Sequence, residues 1–561
     1  MSNESTLTGV TPDTGTSRDI TSINGQDLKK LVESALAWLK NNQQIVNSLN
    51  VFPVPDGDTG TNMLLTMQAA YNEVLNSKET NIGKMAKDVA QGALMGARGN
   101  SGVILSQIWR GFARGLDTLP EMDSSTFVHA IIESRNTAYK GVVRPVEGTI
   151  LTVIKDVSLA VEEASANTQN LIELLEVAVN AADVSVKNTP ELLPILKTAG
   201  VVDSGGKGLF YLLEGMLRMV KGQPLEGVAA NVQHISAMNL EDTFDAVEEG
   251  QDVEVVVDFQ PHKELNLELF YQELSKMGTS IQVGEGDGMY RMHIHVEDGR
   301  QEEPVQYIAS IGTWTKIAME NLRAQMEKEK SSKPAYELHQ IDPGQIAVVA
   351  VSPGEGISKI FASLGVAAII TGGQTMNPST EEILKSFEDL PTDRIIILPN
   401  NKNIILAADT AKNLSVKEVR VVPSRNIAQG LSALLRLDPE GELDSVFDEM
   451  KESINEVDCG EVTIATRTVE IDGVHVEEGK IIGLFNGKLV VANEDVEHAA
   501  LDLLNKMNVT EKEHITIFYG DNITQTEVEP IVENLEKAFP TIEFEVHDGG
   551  QPHYYMILSV E

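Results

Sequence analysis

The sequence predicts a multidomain protein with an all-helical domain, a small α+β module and a two-lobed α/β region. Its 561 residues are too many for one core, and a prior of about 150 residues per domain suggests roughly three or four domains. Apolar residues recur with helical spacing up to about residue 225, whereas runs with a period of two appear only beyond residue 250. Beyond residue 340, short β-branched runs alternate with helical segments, which indicates βαβ units and a largely parallel sheet.

Charge and cysteine content narrow the class of protein. The formal net charge is −40, from 44 basic and 84 acidic residues, which argues against nucleic-acid binding through a large basic surface and against docking on anionic lipid. The one cysteine, Cys459, excludes an intrachain disulfide and favours a reducing compartment. The N-terminus lacks the shape of a signal peptide and no run of ~18 apolar residues occurs, so we expect a cytoplasmic protein without membrane insertion.

Four segments follow one another along the chain. Residues 1–22 are polar and are expected to form a disordered tail. Residues 23–225 form the helical domain, whose first helix carries one apolar stripe from Leu28 to Leu39. Residues 235–330 form the α+β module, which begins with the strand QDVEVVVDFQ and closes with a long helix through PVQYIASIGTWTKIAMENLRAQMEKEK. Residues 340–561 form the α/β region.

The stretch NVFPVPDGDTGTNM places Asp56 and Asp58 just ahead of a helix. If the PDGD segment is extended, the two carboxylates point the same way, and a shared cation would relieve their repulsion. Oxygen ligands without Cys or His suit a hard cation such as Mg²⁺, together with the phosphates of a nucleotide. Gly57 and Gly60 would allow close backbone approach. An acidic turn without a metal is the alternative, and the spacing of an EF-hand is absent.

Further polar turns precede helices and could bind phosphate. Thr61 lies where the next helix begins, and free amides at such a position attract phosphate. In GALMGARGNSGVIL, Ser101 belongs to a glycine-rich loop that enters a helix, although such connections are common without a ligand. Arg144 in RPVEGTILTVIKD and Asp203 in KTAGVVDSGGKGLF are charged residues in similar turns. No Walker A or protein-kinase signature is present, so a nucleotide would need another fold.

Together these segments resemble the nucleotide-binding L subunit of dihydroxyacetone kinases, and more closely the catalytic subunit of bacterial fatty acid kinases. The resemblance covers nearly the whole chain and rests on LNVFPVPDGDTGTNM, GARGNSG, VVDSGGKG, GGQTMNPST, LPNNKNI and the terminal GGQPHY. It implies an eight-helix barrel as the fold of the first domain. It also implies transfer of a phosphoryl group from ATP, with Mg²⁺, to a fatty acid carboxylate, which gives an acyl phosphate.

The resemblance also implies roles for individual residues. Asp56 and Asp58 would bind Mg²⁺. Asn50 lies near the place of a third aspartate in the ketose-kinase subunits, which would weaken one metal site or leave Asn50 as a neutral oxygen ligand. Asp203 would belong to the loop that covers the nucleotide, and Arg98 or Arg144 would add positive charge in the transition state. The residues that would cradle the phosphates are Thr61, Asn62, Ser101 and Gly102.

The strand MYRMHIHV places His293 and His295 on one face, and two such histidines can bind Zn²⁺ only with further ligands. The middle module of the resembling family can carry zinc through such histidines and a cysteine from an earlier strand. Here the corresponding run QDVEVVVDFQ has no cysteine. We therefore expect a metal-free module in which apolar packing around residues 255–257 replaces the metal, with a solvated strand face as the ordinary alternative for the histidines.

The C-terminal motif GGQTMNPST follows a strand, where α/β folds place ligands, although such loops are equally often turns. The resemblance implies that residues from about 340 onward bind a separate fatty-acid-binding protein, which presents the carboxyl group of the lipid, and that the chain is a homodimer. Two alternative functions stay open: a dihydroxyacetone-type kinase, and a nucleotide-binding scaffold or regulator without turnover.

Overall fold

The computed structural model describes residues 20–50, 57–225, 233–234, 253–263, 265–286, 289–321, 336–374, 376–465, 468–471 and 474–561. Asp56 and nearly all of the predicted N-terminal tail lie outside these ranges. The described residues form two compact units, one within Met1–Glu226 and Tyr336–Glu561 and the other within Gly227–Ala335. The chain is multidomain, with a helical N-terminal region and α/β sheets in the C-terminal region.

The helical region begins with a helix whose ends and faces follow from its sequence. Asn24 caps the first helix, because its side chain accepts hydrogen bonds from the amides of Gln26 and Asp27. The predicted stripe from Leu28 to Leu39 is buried. The helices of the region are α1 (Gly25–Asn41), α2 (Gln43–Leu49), α3 (Thr59–Val74), α4 (Ile82–Met95), α5 (Gly99–Gly115), α6 (Ser124–Lys140), α7 (Ile150–Ala164), α8 (Leu171–Leu192), α9 (Pro194–Ala199) and α10 (Ser204–Val220).

The eight longer helices of this region pack against one another in a cycle. The order of contacts is α1, α3, α4, α5, α6, α7, α8, α10 and back to α1. Their apolar faces form one core, which encloses an apolar cavity of about 100 Å³. Short antiparallel strands β1 (Ser22–Ile23) and β2 (Met122–Asp123) pair beside α6.

The second unit contains a five-stranded sheet in the order β3-β5-β6-β4-β7. The predicted closing helix is wrong over residues 312–321, and its last part, residues 322–330, lies outside the described residues. The helix ends at Ile311, and a strand follows that pairs antiparallel with β4. Gly312 is already extended, and Trp314 with its threonine neighbours favours a strand. The elements are β3 (Gln233–His234), β4 (Val253–Pro261), α11 (Leu267–Leu274), β5 (Thr279–Gly286), β6 (Met289–Val296), α12 (Glu302–Ile311) and β7 (Gly312–Asn321).

The C-terminal region has two sheets. The first sheet has the order β11-β10-β8-β9, and all of its pairs are parallel, as predicted. Its elements are β8 (Ala347–Ser352), α13 (Glu355–Ser363), β9 (Ala368–Thr371), α14 (Thr380–Glu388), β10 (Arg394–Leu398), α15 (Ile405–Leu414), β11 (Glu418–Val421), α16 (Ile427–Leu434) and α17 (Leu443–Ser453).

The second sheet has the order β16-β15-β12-β19-β17-β18 and is antiparallel except for the pair β17 and β18. A small hairpin, β13 with β14, lies outside it. The elements are β12 (Asp458–Ile464), β13 (Val469–Ile471), β14 (Val474–Val476), β15 (Ile481–Phe485), β16 (Lys488–Asn493), α18 (Val496–Lys506), β17 (His514–Tyr519), α19 (Gln525–Ala538), β18 (Glu543–Asp548) and β19 (Tyr554–Val560). Among all the described helices, none combines the length and the apolar character that crossing a bilayer requires.

Candidate active site

Asp58 immediately precedes α3 and is buried, with 3% of its surface exposed. An aspartate at this position usually caps the helix, but the side chain of Asp58 makes no capping hydrogen bond. Asn47 of α2 does so instead, because its Oδ1 accepts from the amide of Gly60 at 2.7 Å and from that of Thr61 at 3.1 Å. The carboxylate of Asp58 is therefore buried but does not cap the helix that follows it.

Close contact with α2 shapes the loop before α3. A Cβ on Gly60 would clash with the carbonyl oxygen of Gln43, so the expectation of close backbone approach is confirmed there. The hydroxyl of Thr61 accepts from Nε2 of Gln43 at 2.9 Å and from Nδ2 of Asn47 at 3.0 Å. Thr61 is thus turned toward α2, and its predicted phosphate contact stays a prediction. Asn50 ends α2, one residue before the undescribed segment 51–56.

The N-terminus of α5 lies against the start of α3. Gly99 has φ of 56°, and a Cβ on it would lie 2.6 Å from Nδ2 of Asn62. One turn further, a Cβ on Gly102 would clash with the hydroxyl of Thr66. Asn62 therefore faces α5, whereas Gly102 serves the close packing of α5 on α3. Ser101 is half-buried in the first turn of α5.

The N-termini of α10 and α7 reach the same place. The hydroxyl of Ser204 donates to that of Thr59 at 3.2 Å, which joins the first residues of α10 and α3. Asp203 caps α10, because its Oδ2 accepts from the amide of Gly206 at 2.6 Å. A Cβ on Gly205 would lie 3.4 Å from the Cβ of Ile150, the first residue of α7. The starts of α3, α5, α7 and α10 thus lie side by side.

Electrostatics make this end of the helical region a place for an anion. Each helix N-terminus carries about half a positive charge on its first amides. Side chains cap α3, α7 and α10, whereas Arg98, at the capping position of α5, makes no such bond. Among the described residues no side chain caps α5, so its first amides are donors for an anion such as phosphate. Asp58 offers a hard oxygen donor beside them, so the donor set fits a Mg²⁺–phosphate group.

The two arginines predicted for the transition state differ in their surroundings. Arg144 is exposed in the loop between α6 and α7. The guanidinium of Arg98 points to the C-terminal region, where its Nη1 lies 3.2 Å from Oε2 of Glu382 and donates to the carbonyl of Asn377 at 2.9 Å. Arg98 is thus neutralised by a carboxylate, and a direct role for either arginine in phosphoryl transfer stays a prediction.

Asp203 is half-buried, and the surroundings of its carboxyl group disfavour the charged form. Burial raises its pKa to about 6, and the hydrogen bonds from the amides of Gly206 and Ile150 offset only part of this effect. Its capping bond to Gly206 gives it a structural role at the start of α10. The predicted contact of Asp203 with a nucleotide stays a prediction.

Sequence reasoning missed two residues of this site. Asn47 replaces Asp58 as the cap of α3, and its signal is weak because it lies in the preceding helix. Asn377 of the C-terminal region donates from its Nδ2 to Oδ2 of Asp58 across 319 positions of sequence. The motif GGQTMNPST drew attention to Asn377 but not to its partner, because no periodicity connects residues so far apart.

A candidate metal centre lies in the second unit. His293 and His295 are completely buried, so the alternative of a solvated strand face is wrong. Glu254 joins them, with its Oε1 2.7 Å from Nε2 of His293, and the three donor atoms lie within 4.8 Å of one another. Two imidazoles and a carboxylate are a donor set that suits Zn²⁺. Glu254 is therefore the third candidate ligand. The sequence analysis did not identify it, because it expected a cysteine at this place.

Strand register explains this cluster. Glu254 of β4 lies directly opposite His295 of β6, and Val256 lies opposite His293. Because side chains alternate along a strand, Glu254 shares a face with both histidines, while Val255 and Val257 enter the apolar core on the other face. The signal in the sequence was Glu254 itself, a charged residue inside the apolar run VEVVV.

A cleft of about 40 Å³ lies between the two lobes of the C-terminal region. The loops after β8 and β10 line it, which is where the strand order of the first sheet reverses and where α/β folds place ligands. Gln374 spans the cleft, donating to the hydroxyl of Tyr554 at 2.6 Å and accepting from Asn401 at 3.1 Å. Two residues of the motif GGQTMNPST therefore lie in different places. Gln374 lies in the cleft, whereas Asn377 contacts Asp58 of the helical region.

Glu461 beneath this cleft makes stability depend on pH. Burial raises its pKa from 4.5 to about 7, and nearby Lys402 offsets little of this. A protonated Glu461 therefore stabilises the fold below pH 4.5, and this contribution is lost between pH 4.5 and about 7. Gln at position 461 stays neutral at every pH. The free energy of unfolding of Glu461→Gln, relative to that of wild type, should therefore rise by about 3 kcal/mol between pH 4.5 and about 7. Urea denaturation across pH measures this gain.

Exposed Glu536 provides the matched control, since Glu536→Gln removes a charge from the same lobe without relieving burial. Its stability should follow that of wild type at every pH. Parallel pH curves for wild type and Glu461→Gln would contradict the burial of a titrating carboxyl at this position.

Models of three domain families match the chain in series. Residues 53–218 match the DAK2 domain. Residues 249–329 match the middle domain, and residues 347–561 the C-terminal domain, of FakA-like fatty acid kinases. Uncharacterised proteins of Staphylococcus aureus strains USA300, NCTC 8325 and N315 are each 39% identical over 554 residues, covering 97% of this chain and 100% of the relative.

Solved structures resemble parts of the chain at low identity. The dihydroxyacetone kinase of C. freundii, in complex with AMP-PNP and Mg²⁺, is 18% identical, with a TM-score of 0.28, over 38% of this chain and 37% of that one. The fatty acid kinase B3 protein of Streptococcus pneumoniae, loaded with linoleic acid, is 14% identical, with a TM-score of 0.25, over 33% and 76%. DegV, a fatty acid binding protein from Bacillus subtilis, is 14% identical, with a TM-score of 0.29, over 39% and 99%.

Proposed function

Because the chain belongs to the FakA-like fatty acid kinase family and carries a DAK2 domain, we propose that it is a kinase that uses ATP and Mg²⁺ to phosphorylate the carboxylate of a protein-bound fatty acid. One observation carries the proposal. Buried Asp58 lies where the N-termini of α3, α5, α7 and α10 meet. A carboxylate beside several positive helix ends suits a cation that bridges the protein to phosphates, and we infer that the helix cycle is the eight-helix barrel of the resembling kinases.

The residues of the site divide the work of binding ATP. Asp58 would hold Mg²⁺, together with Asp56, which lies outside the described residues, and with Asn50 as a neutral donor. The first amides of α5 would bind a phosphate, with Asn62 and Ser101 beside them. Bound Mg²⁺ would supply charge neutralisation on the phosphate oxygens.

The proposed reaction needs little acid–base catalysis by the protein. A fatty acid carboxylate is ionised at pH 7, so an oxygen of this group can attack the γ-phosphorus directly, and ADP leaves. No general base is needed, and positioning with electrostatic stabilisation is sufficient for phosphoryl transfer. The charge of the chain, −40, would repel a free fatty acid anion, which favours delivery by a carrier protein. We propose that residues from about 340 onward bind this carrier, while a homodimer and a cytoplasmic location stay predictions of the sequence.

Phosphate transfer from ATP to oleate, compared with transfer to dihydroxyacetone, tests the proposal. Each substrate is assayed with and without a candidate fatty-acid-binding protein, and acyl phosphate is trapped with hydroxylamine. We expect product only with oleate and the carrier together. Turnover of dihydroxyacetone without a carrier would favour the ketose-kinase alternative. ATP binding without transfer to either substrate would favour the regulator.

A further inference from the structure

A segment of the C-terminal region, residues 377–382, contacts the candidate active site of the helical region. The amide of Thr380 donates to the carbonyl of Ala97 at 3.1 Å, and Arg98 forms an isolated antiparallel bridge with Ser379. The ion pair between Arg98 and Glu382 and the bond from Asn377 to Asp58 complete the contact. The segment therefore contacts the site in three ways: through backbone hydrogen bonding, through an ion pair, and through a hydrogen bond to the candidate metal ligand Asp58.

This segment is held in place at its own end. Ser379 caps α14, and Oε2 of Glu382 accepts from the amide of Ser379 at 2.6 Å, which forms a capping box. Glu382 thus serves both the cap and Arg98. The carbonyl of Asn377 accepts from Nη1 of Arg98 at 2.9 Å. Because its backbone is fixed in this way, the side chain of Asn377 has a defined position beside Asp58.

The amide oxygen of Asn377 is a buried acceptor that lacks a partner. Asn377 is 2% exposed, and among the described residues no donor lies within hydrogen-bond reach of its Oδ1. Leaving such a group unsatisfied typically costs about 1–3 kcal/mol, so native structures seldom do so without a reason. The other end of the same amide donates to a carboxylate, Asp58. A neutral oxygen beside a carboxylate is the kind of donor that a hard cation takes.

We propose that Asn377 is a ligand of the magnesium–nucleotide site, contributed by the C-terminal region. Its Nδ2 orients the carboxylate of Asp58, and its Oδ1 binds the cation that Asp58 holds. Arg98 is a positioning residue, because it acts through the backbone of Asn377. The inference rests on the proposed function and deepens it, since the kinase site then needs residues from both the helical region and the C-terminal region.

Binding of Mn²⁺ to the full chain, followed by electron paramagnetic resonance with and without AMP-PNP, tests this inference. Asn377→Ala should weaken Mn²⁺ affinity about 10- to 100-fold, the range found for groups that support metal sites. Asn377→Asp keeps an oxygen ligand but loses the bond from Nδ2 to Asp58, so it should bind Mn²⁺ more tightly than Asn377→Ala does. Circular dichroism verifies that each variant is folded.

Asn403→Ala is the matched control. Asn403 contacts the helical region in the same interface, where its Oδ1 accepts from Nδ2 of Asn100 at 3.2 Å. Its Mn²⁺ affinity should equal that of wild type. Unchanged affinity in Asn377→Ala would overturn the proposal, as would tighter binding, which would mean that the segment obstructs the site. Asn377→Asp as weak as Asn377→Ala would also overturn it.

Asp58→Ala separates this inference from the proposed function. If Asp58→Ala loses Mn²⁺ while Asn377→Ala keeps it, only the role of Asn377 falls and the kinase site stands. If Asp58→Ala binds Mn²⁺ and AMP-PNP as wild type does, the metal site itself is wrong, and the proposed function falls with it.

Discussion

Replacing Asp58 by alanine is expected to lower the rate of phosphoryl transfer about 10²- to 10³-fold, on the scale of groups that stabilise transition-state charge directly. The reason is that Asp58 is a buried carboxylate beside the start of α5, where the proposed function places Mg²⁺. The fold should survive, because Asn47 and not Asp58 caps α3. Acyl phosphate formation and Mg²⁺-dependent ATP binding are the two measurements.

Asp123 provides the control for this experiment. It occupies the same capping position on α6, and there its side chain does cap the helix, accepting from the amide of Thr126 at 2.9 Å. Asp123→Ala should lose about 0.5–2 kcal/mol of stability and keep full turnover. Asp58→Ala should show the reverse, with stability kept and turnover lost. Full activity in Asp58→Ala would refute the assignment of the metal site.

Purified protein is expected to carry about one zinc per chain, and its removal should destabilise the second unit strongly. Glu254, His293 and His295 have their donor atoms together and buried. Structural zinc contributes roughly 10–16 kcal/mol to the folding of small zinc-dependent domains, which is comparable to the whole stability of a typical domain, roughly 5–15 kcal/mol. Elemental analysis and thermal unfolding with and without a chelator are the measurements.

Glu254→Ala and His262→Ala form the matched pair for this prediction. Glu254→Ala removes one of three ligands and should lose the zinc and lower the melting temperature of the second unit. His262 lies in the same unit but is exposed, with its Nε2 3.2 Å from the hydroxyl of Thr313, so His262→Ala should keep the metal. Metal-free wild-type protein would restore the expectation drawn from the missing cysteine.

Local pattern was enough wherever a structure is decided by neighbours in sequence. The stripe of α1 and the parallel first sheet of the C-terminal region both follow from periodicity and β-branched runs. The closing helix of the second unit was overestimated, because pairing of residues 312–321 with β4 overrides their helical spacing. Secondary structure there depends on a partner strand that lies some sixty positions away, which periodicity does not report.

The sequence by itself determined the element types and the acidic motif that singles out Asp58. Only the tertiary structure decided what the motif meets: Asn47 as the cap of α3, the starts of α5, α7 and α10 beside it, and Asn377 from the far end of the chain. It also brought Glu254 to the two histidines through strand register. The physical reason is that charge and hydrogen bonding act over a few ångströms in space, while sequence patterns record only the spacing of residues along one helix or strand.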